Sequence, residues 1–201
     1  MMYARVAVVV GVALLAGCAS NRRAGNAELP ARDAQLAAEL AAQGERAIDK
    51  EDWARAISLN REALRHHDGL GAAWHNLGIA LMQTRENLEA ASSFQRAAEL
   101  LPTDPRPYEN LALLHMNAGW HEDALRLYEL SLERGAYHVP SLRGAVLAAR
   151  ELNQSTPAGL ERVKRGILVE KDPAWRVIFE REQVRVAQDL AEREKASRRP
   201  N

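Results

Sequence analysis

The stretch GAAWHNLGIALMQTRENLEAASSFQRAAELLPTD, Gly71 to Asp104, decides the fold. Its first half sets large residues, Trp74, Leu77 and Leu81, around a small one, Gly78. Its second half sets small residues, Ala90 and Ala97, around an aromatic, Phe94, and ends at Pro102. Spacings of three and four residues place each set on one face of a helix. The small positions let two helices approach closely, and the large ones fill the remaining space as ridges fill grooves.

The same columns recur 34 residues away on either side: Ala56, Ala90 and Ala124; Gly44, Gly78 and Ala112; Ala63, Ala97 and Ser131. Trp74 matches Tyr108, Asn76 matches Asn110, Leu77 matches Leu111, and Phe94 matches Tyr128. Alanine is frequent in this chain, so the alanines alone carry little weight. Each column, however, is all small or all large. A 34-residue period with this pattern resembles the tetratricopeptide repeat (TPR) family, in which each unit is a helix–turn–helix. Three units follow, at 37–70, 71–104 and 105–138. The third has Ala136 where the closing proline is usual. The first is the most degenerate, with Gln43 in a leucine column, Trp53 in a tyrosine column and Asn60 in an aromatic column. The resemblance implies an all-α fold: a right-handed superhelix of antiparallel helix pairs, with capping helices at the C-terminal end. The alternative is an ordinary helical bundle whose spacing is coincidental.

Upstream, Val6–Leu15 is an apolar run of ten residues behind Arg5. That is too short for a bilayer span, which needs about 20 residues, and fits the apolar core of a secretory signal. The run ends in Leu15-Ala16-Gly17-Cys18, which resembles the lipobox of bacterial lipoproteins. Cys18 is the only cysteine, so no internal disulfide can form. The resemblance implies cleavage after residue 17, a diacylglycerol on the Cys18 thiol and an acyl chain such as palmitate on the new amine. The alternative is a plain signal peptide with a chance cysteine. Ala19, in place of Asp, favours the outer membrane and a protein facing the periplasm, with the inner membrane as the other choice. Residues 18–31 are small, polar and without helical period, and are expected to form a flexible tether.

Downstream the repeat decays. Val139-Pro140 opens another helix with Leu142, Ala145, Ala149 and Leu152, and a second helix follows Thr156, an expected N-cap. Pro173 falls three residues late in the 34-residue frame, so 139–172 is a degenerate fourth unit with an insertion or a capping hairpin. Residues 173–201 form a last helix and a disordered tail. Trp175, Ile178, Phe179, Val186 and Leu190 give that helix a broken apolar stripe that either covers the open end of the solenoid or binds a partner.

The 27 basic and 27 acidic side chains balance, which leaves no field to steer nucleic acid or an anionic membrane surface. No glycine-rich phosphate loop or serine elbow occurs. His66 and His67 are adjacent, and His115 and His121 flank a turn, so none has the spacing of a helical metal pair. The chain is read as a non-enzyme, with no cofactor and no metal.

In the TPR family, ligands touch the second, fifth, ninth, twelfth and thirteenth columns, which line the concave face. The resemblance therefore implies a partner groove of Glu45, Ile48 and Asp49 from the first unit. The second contributes His75, Ile79, Met82 and Gln83, and the third Arg106, Glu109, Leu113, Met116 and Asn117. Ile48, Met82 and Met116 form an apolar row at the 34-residue spacing, and methionine suits adaptable contacts. The competing reading is that these residues are buried between helices or covered by the chain's own termini. The basic clamp with which some TPR domains hold chaperone C-termini is missing: Ala41 and Glu45 stand where a basic residue and Asn are needed. The expected role is a lipid-anchored interaction scaffold with protein partners in the cell envelope. The chain resembles the lipoproteins that assist pilus and secretin assembly. The alternative is an adaptor for peptidoglycan hydrolases or synthases, and a small-molecule receptor is a third reading.

Overall fold

The computed structural model describes residues 31–198. Cys18 with its lipobox, the expected tether up to residue 30 and the last three residues lie outside the described residues. Among the described residues the chain is all-helical: α1 Ala31–Ile48, α2 Trp53–His66, α3 Gly71–Gln83, α4 Asn87–Leu100, α5 Arg106–Asn117, α6 His121–Arg134, α7 Val139–Glu151, α8 Pro157–Val169 and α9 Pro173–Ser197. The second helices α2, α4 and α6 begin 34 residues apart, at Trp53, Asn87 and His121.

Small residues permit each pair to close. A Cβ on Gly78 would stand 2.6 Å from the Phe94 ring, and one on Gly44 would collide with the Asn60 amide. Phe94 is wholly buried with Leu77, Leu81, Ala90 and Leu111. Asn60 is as buried as Phe94, but polar: its Nδ2 donates to Ala56 O (2.8 Å), while its Oδ1 has no partner among the described residues. In the third pair Ser131 fills a small column by donating from its hydroxyl to Pro105 O (2.8 Å), and it also bonds Ser141 (2.7 Å).

The turns inside the pairs repeat as closely as the helices. Glu51, Arg85, Gly119 and Asn153, each 34 residues from the next, all adopt positive φ (56°, 67°, 78° and 50°). At each turn the next residue's N–H reaches back to a carbonyl of the last helical turn: Asp52 to Ala47, Glu86 to Leu81, Trp120 to His115 and Gln154 to Ala149. This is the Schellman closure, in which one left-handed residue satisfies the orphan carbonyls of a helix end. Asn153 keeps the fourth turn in register, so the departure that delays Pro173 lies beyond it.

Each helix packs on the next in sequence. The backbones of α1, α3, α5 and α7 also approach one another in succession, whereas those of α2, α4, α6 and α8 stay apart. A stack tight along one set of helices and splayed along the other must curve. The first helices of the pairs line its inner face. At the far end α9 buries Phe179 and Val186, and a Cβ on Gly166 of α8 would collide with the Phe179 ring.

Candidate functional site

The inner face carries the apolar row as a half-buried strip: Ile48, Met82 and Met116, with Ile79 and Leu113 beside them. Ile48 packs on the Ala47–Ala56–Ala80 cluster, Met82 and Ile79 on the Phe94 cluster, and Met116 on the Tyr128 cluster. Each side chain is thus anchored by one side and accessible on the other, between the two alternatives drawn from the sequence. Glu45, Asp49, Gln83, Arg106 and Asn117 are exposed, and Glu109 is half-buried.

His75 departs from its expected place in the groove. It is only 6% exposed, tilted against the Phe94 ring at 5.8 Å. Asn110 Nδ2 lies 3.0 Å from its Nε2. An amide nitrogen can only donate, so Nε2 accepts and the ring proton belongs on Nδ1. Burial, with the Arg106 charge beside it, pushes the imidazole pKa down to about 4. The next helix of the stack closes over this column, and a column-by-column reading does not see that helix.

A bond between the same two columns recurs along the stack, to a backbone carbonyl in one unit and to a side chain in the next. Asn76 Nδ2 donates to Ala41 O (3.4 Å), and Asn110 donates to His75, each across 35 residues. The next step would run from residue 144 to Glu109, but residue 144 is glycine. A Cβ there would collide with the Tyr128 ring and hydroxyl, which explains why no asparagine occupies it. Among the described residues Glu109 has no hydrogen-bond or ion-pair partner. Burial raises its carboxyl pKa to about 7. Its spacing from Asn76, Asn110 and Gly144 was the signal available in the sequence.

The cations of this face on α5 and α7 each face an acid, and the exposed Arg150 does so loosely, 3.9 Å from Glu182. Arg106 holds Asp104 through both its Nε (3.0 Å) and Nη2 (2.6 Å). Burial works against the Asp104 charge, yet the hydrogen bonds from Arg106 outweigh it and hold that carboxyl below its ordinary range. Arg143 of α7 grips Glu170 with a fork of 2.8 and 2.7 Å and stacks over Trp175. The outer face, unremarked in the sequence, has a cleft of about 760 Å³ where α4 and α6 splay apart, floored by Leu111, Leu127 and Tyr108. Its rim acids are neutralised by local arginines, Glu99 by Arg96, Asp123 by Arg126 and Glu129 by Arg162. No group of three or more potential metal ligands occurs among the described residues.

No family model matches the sequence. The peroxisomal targeting signal receptor of Eremothecium gossypii is 29% identical over 120 residues, 59% of this chain and 20% of that protein. The chain therefore spans about a fifth or less of the length of the curated relatives it matches. Among solved structures, a tetratricopeptide repeat protein from Parabacteroides merdae superposes with a TM-score of 0.63 at 21% identity, over 80% of this chain and 64% of that one. YrrB, a TPR protein with an unusual peptide-binding site, gives 0.58 at 21% identity, over 74% and 76%. The fold is a TPR solenoid. At these identities the likeness speaks for the fold alone.

Proposed function

We propose that this chain is a non-enzymatic protein-interaction scaffold whose inner groove holds a segment of a partner protein. The observation that carries the reading is the anchored, half-accessible row Ile48–Met82–Met116 with Ile79, beside the half-buried Leu113. A surface pinned on one side and open on the other is pre-organised, so little ordering opposes binding. YrrB, of like fold, has a peptide-binding site. The lipobox ending in Cys18 supports anchoring in the bacterial envelope, and Ala19 supports the outer membrane. Assembly of a pilus or secretion complex is the setting we favour, on the lipoprotein resemblance.

Met82→Asp with Met116→Asp is the test of the groove. Crosslinking in intact membranes followed by mass spectrometry is expected to capture a partner with the native chain and to lose it with the double variant, at unchanged helical content. Retention of the partner by the folded double variant would overturn the groove. Pilus or secretin components among the captured proteins support the assembly role, and peptidoglycan hydrolases or synthases would replace it with the adaptor role. Cys18→Ser is expected to move the protein out of the membrane fraction, and unchanged fractionation would remove the anchor from the proposal.

A further inference from the structure

The charges of the inner groove do not cancel. Arg106 is tied to Asp104 and Arg143 to Glu170, each by paired hydrogen bonds. Glu45, Asp49 and Glu109 lie on the same face without an ion pair within 4.0 Å among the described residues, and of the three Glu45 acts at longer range on Arg106. Arg150, a further cation of α7 on this face, stands 3.9 Å from Glu182, so each of these cations faces an acid, while Asp49 and Glu109 face no cation and leave negative charge beside the apolar row. Glu109 differs from the two exposed acids. It is half-buried, and the asparagine ladder that satisfies the fifth column at Ala41 and His75 stops one step before it, at Gly144. The Glu109 oxygens are not sealed from solvent, so water serves them in the free chain, but partial burial weakens that hydration.

We propose that the groove takes a protein segment presenting a lysine or arginine, whose cationic group docks on Glu109 at the junction of α5 and α7 while flanking apolar side chains lie on Leu113, Met116 and Met82. This rests on the groove reading above and adds the chemistry of the occupant. A charge-assisted bond supplies the donor that Gly144 leaves out, and it is roughly twice as strong as a neutral one. The segment's cation also meets the charge of Asp49 along the face, which favours encounter over segments of the opposite sign.

Glu109 is the group around this point that changes charge between pH 6 and 8. On α3, His75 stays neutral there, because burial lowers its pKa to about 4. At the start of α5, Asp104 remains ionised and Arg106 remains charged, each strengthened by the other. On α6, burial pushes the Tyr128 phenol well above its ordinary range. On α7, Arg143 remains charged against Glu170, and burial lowers the pKa of His138 at the helix start. From α4, on the opposite flank of α5, Glu99 faces the outer cleft. Cation docking should therefore strengthen as pH rises from 6 to 8 and Glu109, with a pKa of about 7 when unoccupied, ionises.

The test uses the full chain and three pools of nonapeptides, with apolar and serine residues at the flanks and lysine, norleucine or glutamate fixed at the centre. Retention of each pool is measured by mass spectrometry at pH 8 and pH 6. The lysine pool should be retained about tenfold better than the norleucine pool at pH 8, a factor typical of one charge-assisted contact, with the gap narrowing at pH 6. Glu109→Gln should level the two pools at both pH values while still retaining norleucine. A lysine preference that survives in Glu109→Gln overturns the assignment, as does retention of norleucine with no lysine preference in the native chain; in both, the groove stands. Retention of none of the pools overturns the groove and the cation site together.

Discussion

Two regions of this solenoid hold together by different means. Between α1 and α6 the helices meet through small-against-large columns, Gly78 on Phe94 and Ala112 beside Tyr128, all of them buried. The ion pair that links α2 to α4 in this region, Arg61–Glu89, is 45% and 48% exposed, and such pairs contribute about 0–1 kcal/mol. Between α7 and α9 the 34-residue columns decay, and buried charge is added to the packing of Gly166 on Phe179. The Glu170 side chain is 2% exposed in the Arg143 fork, and Arg162 is 6% exposed against Glu129. Asp189 accepts from the Ser155 hydroxyl (2.5 Å) and from Arg185 (3.1 Å), while Arg193 donates to Ser155 O, tying α9 to the α7–α8 turn. Where the repeat supplies complementary shape, shape suffices. Where it fades, directed bonds fix the geometry, and a directed buried pair fails steeply when one partner is lost.

The largest effects should fall on the shape-held half. Phe94→Ala should destabilise by about 3–5 kcal/mol in denaturant unfolding, since it empties a wholly buried aromatic site. Asn60→Ala, at the equivalent position of the first pair, should destabilise by only about 1 kcal/mol, because the lost Asn60–Ala56 bond is offset by removal of the unpartnered Oδ1. Equal losses at the two positions would break the idea that the aromatic column carries this half. Arg143→Ala should come next, at about 3 kcal/mol, with Glu170 left buried and unpaired. Its loss should be local: hydrogen exchange should quicken in α8 and α9 while α3 and α4 keep their protection. Adding Glu170→Gln to that variant should recover part of the loss, which a purely steric role for Arg143 would not allow.

Acid should separate the regions too. Hydrogen bonds from Arg143 hold the Glu170 carboxyl at about 2, so its contribution is complete above the ordinary carboxylate range near 4.5 and is lost as pH falls toward 2. In the other half two groups oppose each other. His75, lowered by burial from 6.5 to about 4, removes stability as pH falls through that window. Glu109, raised by burial from 4.5 to about 7, adds stability as pH falls through nearly the same window. The native chain should therefore decline only gently between pH 6.5 and 4.5, with His138, whose pKa burial also lowers, leaving the balance on the side of loss. Glu109→Gln should uncover the histidine term, with melting temperature declining more steeply on acidification over that range. A profile no steeper than the native one in that variant would remove the opposition.

The shape-held half was legible in the sequence and the charge-held half was not, for a physical reason. A steric column repeats with the helices, so Gly44, Gly78 and Ala112, or Phe94 and Tyr128, declare themselves by spacing. Arg143–Glu170 and Ser155–Asp189 join residues 27 and 34 apart without a repeating partner elsewhere, and nothing in a single sequence pairs them. The groove was legible in part. The row Ile48–Met82–Met116 stands on the inner face, but His75 is enclosed because Asn110 of the next helix closes over it. The isolation of Glu109 becomes visible only once the Asn76–Asn110 ladder is known to be a bonding pattern and Gly144 its break.

The turns set the finest comparison, because one backbone conformation is imposed on four different residues. Glu51 and Arg85 hold φ of 56° and 67°, Asn153 holds 50°, and Gly119 holds 78°. A left-handed conformation opposes a Cβ by about 1–2 kcal/mol per residue, eased for Asn and absent for Gly. Against that, glycine loses more chain entropy on folding, an opposing effect of about 0.4–1 kcal/mol. The balance predicts that Arg85→Gly and Glu51→Gly each stabilise by up to about 1 kcal/mol, that Asn153→Gly is close to neutral, and that Gly119→Ala destabilises by about 1 kcal/mol, with open space around its Cβ excluding a clash as the cause. Melting temperatures of the four variants decide it. If Arg85→Gly loses stability, the Arg85 side chain makes a contribution at its turn larger than the strain it imposes. The repeat would then tolerate non-glycine residues there by compensation rather than by indifference.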